Sequence, residues 1–384
     1  MTRGDRLLKQ PGPKILEIGP VPFMWHAFPD TTVFYPTWYD ETRRDETGVG
    51  EAVREPLRVR NVVSLASLPS LARRLADASI ELIVVHAPPF SPWGVQALTR
   101  AFFRRSLVRG NLPVFRGLGP QLLRGPVAAP VAILDLDDPA TIGRCNRFLL
   151  DKAVVYFKRE LPIDYWLAFA GTLHRRVPTP RFRAARRNRA RIAKLRPISL
   201  GMPFEVARKL AASPPPPDVD KTIDVFFAGR VRNSATVRDS GFEELIAMRR
   251  DGCVIDVSED TLPLDEYLAR CARAHLVWSP AGFGWQCFRT YEAAACGAVA
   301  LCGRSPVERH QPLIDGVHAI YYDVEPGELT RAVRSALGDR ARLRAMGAAA
   351  RQHALAFHTP TAIARHIFDA ATNIAATSPR TSLA

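Results

Sequence analysis

A chain of 384 residues with 47% apolar and 24% charged side chains is long enough for two domains, each with its own core. No apolar run approaches the roughly 20 residues that span a bilayer, and the opening MTRGDRLLKQPGP lacks the apolar core of a signal peptide. The six cysteines form no C-x-x-C pair, which argues against zinc and against a disulfide framework. A cytoplasmic protein is the expectation. The net charge of +15 leaves open a peripheral place at the inner face of a membrane.

Lys14 to Gly19 reads as a first strand ending at a glycine. The loop that follows, through His26 and Tyr39, is rich in aromatic rings that suit either a sugar-binding cleft wall or a core. Asn61 to Leu65 reads as a strand, Leu68 to Ala78 as an amphipathic helix and Ile80 to His86 as a second apolar strand. Strands alternating with helices argue a parallel sheet. His86 falls just past the end of its strand, where open α/β sheets keep their ligands; a packing histidine fits there as well.

Val131 to Pro139, VAILDLDDP, runs an apolar strand into Asp135, Asp137 and Asp138. The Asp-x-Asp pair could hold a divalent cation through hard oxygens. In a cleft between domains, Asp138 could instead act as general base toward a hydroxyl. Asp138 before Pro139 is also a good helix cap for Ala140 to Asp151. After the strand Ala153 to Phe157, Lys158, Arg159 and Glu160 again sit at the ligand edge. The two cations could meet phosphate or an acidic acceptor there, and Glu160 is a second base candidate.

Residues 174–196 hold ten Arg or Lys and no acid. With Phe182 as its single aromatic, the run lacks the stacking platforms of single-strand binders. An anionic membrane surface is therefore preferred over nucleic acid, beside the plain reading of a solvated face. Arg196 to Gly201 closes a first domain spanning 1–203. A linker, 204–221, contains Pro214 to Pro217, a stiff extended spacer. The second domain spans 222–358, and 359–384 forms a last helix and tail returning toward the first.

Thr222 to Ala228 ends at Gly229-Arg230, with Arg232 and Arg238 close behind. A helix, Arg238 to Arg250, a strand, Cys253 to Val257, and a helix, Leu264 to Ala274, lead to the strand His275 to Trp278. The loop Ser279 to Gly284 follows, carrying Gly282 and Gly284. It leads into a helix, Trp285 to Cys296, and a strand, Ala298 to Cys302. A glycine loop before a helix N-terminus lets backbone N–H groups approach a phosphate. Arg289 and Glu292, three apart, share a helix face. An arginine fork suits a pyrophosphate, and a carboxylate suits two ribose hydroxyls; the spacing is also that of an ordinary surface ion pair. Tyr291 lies beside them. His318 to Tyr322 and helices over Pro326 to Leu337, Arg340 to Ala356 and Thr361 to Ala376 complete the chain.

The segment with Glu292, Ala293, Gly297 and the strand Ala298 to Cys302 resembles the donor-binding half of GT-B glycosyltransferases. More narrowly, R-x-x-E-A-A-A-C-G, Arg289 to Gly297, resembles the group-1-like transferases related to spore-coat maturation proteins, with exostosin-type transferases more distant. The larger retaining family has a further glutamate eight residues earlier. Gly284 stands there in this chain, and aligning on the glycine loop offers Ala281, so stereochemistry does not carry over. The resemblance implies an α/β protein with two Rossmann-like doubly wound parallel sheets facing a cleft. It implies metal-independent transfer of a sugar from a nucleotide diphosphate sugar to a glycan, lipid-linked or other hydroxyl, with no further cofactor. Arg230, Arg232, Gly282, Gly284, Arg289, Tyr291 and Glu292 would bind the donor, and Asp138, Glu160 or His86 would serve the acceptor. A sugar-nucleotide epimerase of the same fold and a non-catalytic binding module are the alternatives.

Overall fold

The computed structural model describes residues 12–35, 61–88, 118–170, 186–216, 219–231 and 236–377. Seven parallel strands form the first sheet: β1 (Ile15–Ile18), β2 (Thr32–Tyr35), β3 (Asn61–Val62), β4 (Leu82–His86), β5 (Val131–Asp135), β6 (Val155–Lys158) and β7 (Leu195–Pro197). Their order is β3-β2-β1-β4-β5-β6-β7. Five more form the second: β8 (Ile223–Ala228), β9 (Ile255–Ser258), β10 (Ala274–Trp278), β11 (Val299–Gly303) and β12 (Ala319–Tyr322), in the order β12-β11-β10-β8-β9. Strands such as LIVVH and IDVFFA are buried along their whole length. That is why they read as near-continuous apolar runs and not as alternating ones.

The order reverses between β1 and β4 in one lobe and between β8 and β10 in the other. A crevice opens at such reversals beyond the strand ends. Gly19 and His86 stand at the first, and Gly229 and the loop 279–284 at the second.

The final helix, Pro360–Thr377, leaves the second lobe and completes the first. Ile363, Ala364, Ile367 and Ala371 enter the same core as Ile15, Leu82, Val84 and Phe157, and Thr361 Oγ1 donates to His26 O at 3.1 Å. Each fully buried isoleucine contributes about 1.5–3 kcal/mol, enough to fasten the crossing.

Several sequence expectations change; the helix expected over Trp285 to Cys296, for one, begins only at Phe288. β2 is an added strand inside the aromatic-rich stretch. The helix expected over Ala140 to Asp151 shrinks to Arg147–Lys152, preceded by a single tight turn at Arg144–Asn146. The linker is, in its first half, a helix, Phe204–Ala212. Its Val206 and Leu210 enter the second lobe's core, while Phe204 stacks on His26 of the first lobe at 4.4 Å. Arg232, Tyr39 and residues 174–185 of the basic run lie outside the described residues. Among the described residues no helix is long and apolar enough to cross a membrane.

Candidate functional site

The second lobe's reversal is built around a turn that tolerates no side chain. β8 ends at Ala228, and Gly229 follows with φ +146°, a conformation that favours glycine. Arg289, from the helix Phe288–Ala295, donates from Nη2 to the Ala228 carbonyl at 2.6 Å. Its guanidinium lies 4.7 Å from the centre of the Phe227 ring, a cation–π contact that fixes its plane. Arg238, from the first turn of the helix Thr236–Met248, reaches the same turn. It donates from Nη1 to Arg230 O and from Nε to Ala281 O, both at 3.0 Å. Two guanidiniums therefore meet at one turn; neither forms a close ion pair among the described residues, and the Glu292 carboxylate acts on Arg289 at longer range. Burial and the neighbouring Arg289 charge both pull the Arg238 pKa down, whereas Cys287, Tyr267 and Glu292 hold that of Arg289 up against the cost of burial. No side chain caps the helix that carries Arg289, so its N-terminal amides add to the same field.

Glu292 sits one turn further along that helix and accepts the Tyr267 hydroxyl at 2.7 Å. Burial pushes its carboxyl pKa up, against the opposing pull of the Tyr267 bond and the Arg289 charge. Arg230 contributes its backbone to the turn, and its side chain is exposed.

The glycine loop faces two ways. Gly282 lies against Arg238, whose Nη2 is 2.9 Å from where a Cβ would stand. Gly284 lies against the first lobe: a Cβ there would fall 2.6 Å from Glu160 Oε1, 2.7 Å from Arg159 Nη2 and 2.9 Å from Asp138 Oδ1. Glu160, fully buried, accepts the backbone N–H groups of Trp285 and Gln286, each at 3.1 Å. Arg159 bridges the trio, pairing with Asp138 and, at 3.2 Å, with Glu160. Gln286 donates to the carbonyls of Arg159 and Ile198 and accepts from Leu200 N and the Tyr291 hydroxyl.

This placement revises one donor-site expectation. Tyr291 is 2% exposed and turned toward Gln286 and His358, away from the guanidiniums, so its ring has no face left for a ligand. Asp138 caps no helix; it stays a third exposed and held by Arg159. Asp135 is turned inward to Tyr156 at 2.8 Å and Lys158 at 3.2 Å, so the Asp-x-Asp pair does not present two open carboxylates. His86 bonds through Nε2 to the buried Glu17 at 2.7 Å. Glu17 also accepts Phe23 N and Met24 N. Arg238 and Glu17 hold places in these crevices that the sequence pattern does not single out. The signal for Arg238 was its place one turn into the helix after a Gly-Arg turn; nothing local marked Glu17.

Residues 256–369 match the family model described as glycosyl transferase-like. That match spans the second lobe from β9 into the final helix, and the two-lobed parallel-sheet architecture is the GT-B fold. The whole chain shares that fold with a glycosyltransferase from Rickettsia africae ESF-5, at TM-score 0.53 and 8% identity, covering 96% of this chain and 100% of that one. It shares it also with Anabaena HepE solved in complex with UDP, at TM-score 0.52 and 11% identity, covering 94% and 100%. A HepE complex with UDP and glucose gives 0.50 at 13% identity, covering 94% and 99%. No curated protein matches the sequence. In GT-B terms, the turn at Gly229 and the helix with Arg289 and Glu292 occupy the second lobe's crevice, and Asp138 and His86 stand on the first lobe's strand ends.

Proposed function

We propose that the protein transfers a sugar from a nucleotide diphosphate sugar to an acceptor hydroxyl in the cleft between its lobes. The observation that carries this is the pair of guanidiniums, Arg238 and Arg289, bonded to carbonyls at one glycine turn with no close ion-pair partner among the described residues, so that two positive charges face the more distant Glu292. A diphosphate supplies the missing charge, and it is the leaving group of the reaction. Donors fixed before reaction where negative charge develops stabilise that departure without reorganisation. Glu292, steadied by Tyr267, is the ribose acceptor in this reading. Arg230, on the same turn with its side chain free to swing in, is a further phosphate ligand.

On the acceptor side Asp138 is the favoured base, because it is partly exposed and Arg159 holds it beside Gly284. His86 is the second choice; its Nε2 is engaged by Glu17, which leaves Nδ1 to accept a proton. The complexes of HepE, a protein of the same fold, with UDP and with UDP and glucose support a uridine-type donor. A thermal-shift panel of nucleotide sugars, followed by a donor-hydrolysis assay, tests the reading. One donor should raise the midpoint and be slowly cleaved to sugar and nucleoside diphosphate. A panel without any shift or cleavage refutes it.

Membrane attachment through the basic run belongs to the same proposal. In its described part, Arg187 and Arg191 both pair with Asp151, whose pKa they draw down to about 2. The attraction therefore rests on Arg186, Arg189 and their neighbours. Co-sedimentation with anionic vesicles that falls with salt supports it.

A further inference from the structure

We propose that Glu160 is a positioning residue through which the first lobe sets the register of the donor helix in the second. The inference rests on the transferase reading and assigns Glu160 a task other than proton transfer. Its carboxylate has no accessible surface, and its oxygens are taken by the N–H groups of Trp285 and Gln286 and by Arg159 Nε. A base must reach a substrate proton; this one is enclosed by backbone from the opposite lobe.

What those two amides do explains the arrangement. They lie between the glycine loop and the first turn of Phe288–Ala295, the helix that carries Arg289 and Glu292. Unmatched, the buried Gln286 N–H would carry a desolvation penalty, and the part-buried Trp285 N–H beside it a smaller one. A carboxylate answers both at once and fixes the direction in which the loop enters the helix. Gln286 repeats the connection with its side chain, tying Arg159 O and Ile198 O of one lobe to Tyr291 of the other. Gly284 permits the approach, since any Cβ would strike Glu160, Arg159 and Asp138. Contact between the lobes and alignment of the diphosphate ligands thus share one carboxylate. Arg159, which touches both Glu160 and Asp138, holds the acceptor-side carboxylate beside the loop.

The test uses the full chain and hydrogen exchange, which needs no substrate, alongside steady-state kinetics. Glu160→Ala should speed exchange of the segment 284–288 at least tenfold while the strands of both sheets exchange as in wild type. Donor KM should rise and kcat should fall. The pH at which activity drops on the acid side should stay where wild type has it. Glu160→Gln keeps one acceptor oxygen and should fall between the two; it decides the matter where the alanine variant does not fold. Gly284→Ala, which leaves Glu160 intact, should loosen the same segment. Unchanged exchange in both Glu160 variants overturns the proposal, as does an acid limb that disappears in Glu160→Gln, which would make it the base. A wild type that binds neither UDP nor GDP and cleaves no donor sinks the transferase reading instead, whatever the exchange shows.

Discussion

Arg289 occupies the space that Gly229 leaves empty. Its Nη2 lies 2.5 Å from the point where a Cβ on that glycine would stand, and it is bonded to the carbonyl just before it. Gly229→Ala should therefore act on binding more than on folding. The strained φ costs about 1–3 kcal/mol of stability, read by urea denaturation. The displaced guanidinium should weaken nucleoside diphosphate binding at least tenfold, read by calorimetry.

Glu292 must be ionised to accept two hydroxyls, and burial raises its pKa. Nucleotide affinity should accordingly decline on acidification at a higher pH than an ordinary carboxylate would give. Tyr267→Phe removes a bond that favours the ionised form and should move that decline higher still. Glu292→Ala should abolish the decline and cost about 1.5–3 kcal/mol of binding. It should also erase the preference for ribose over 2′-deoxyribose nucleotides in competition titrations.

Five histidines gather where the chain crosses between lobes. His310 stacks on His366 at 3.8 Å and His318 on His353 at 4.4 Å. His358, fully buried, bonds to Ser199 Oγ and Gln311 O. Burial, with His353, His310 and Arg309 near it, brings the His358 pKa down to about 3; burial, His366 and His353 bring His310 to about 4. Asp369, beside His366, is the opposing charge. Both depressed groups are neutral in the native state, while the unfolded chain takes up protons below about pH 6.5. Their contribution is complete above that pH and is lost as pH falls toward 4. Thermal midpoints should drop steeply across this window, and His310→Asn should flatten the slope.

The returning helix makes a prediction about the first lobe. Ile367 is fully buried against strands of the other domain. Ile367→Ala should cost about 2–5 kcal/mol, measured by urea denaturation, and the loss should appear in exchange protection of β1 and β4.

Much of this architecture was written in apolar runs. Strands such as Val131–Asp135 and Ala274–Trp278 are buried on both faces, so their composition alone announced them and the parallel sheets they form. β2 escaped because TVFY is embedded among aromatic residues that read equally as loop. The helix expected after Pro139 failed because Asp138 is claimed by Arg159, twenty-one residues away, and not by the backbone it precedes. The prolines of the linker mark a spacer, but Val206 and Leu210 before them have a core to enter and so form a helix. In the site, spacing alone showed only that Arg289 and Glu292 share one helix face; their donor-binding role is what the family resemblance implies. Which face Tyr291 takes, and that Glu160 meets amides of the other lobe, depend on contacts 5 and 125 or more residues apart that no local pattern encodes.

Donor binding in this reading rests on the two guanidiniums at the Gly229 turn. Calorimetric titration of UDP and GDP into wild type, Arg289→Ala and Arg238→Ala tests them directly. Wild type should bind one of the nucleotides at a single site, and each variant should bind it at least tenfold more weakly with its circular dichroism unchanged. Equal affinity in all three proteins would contradict the account.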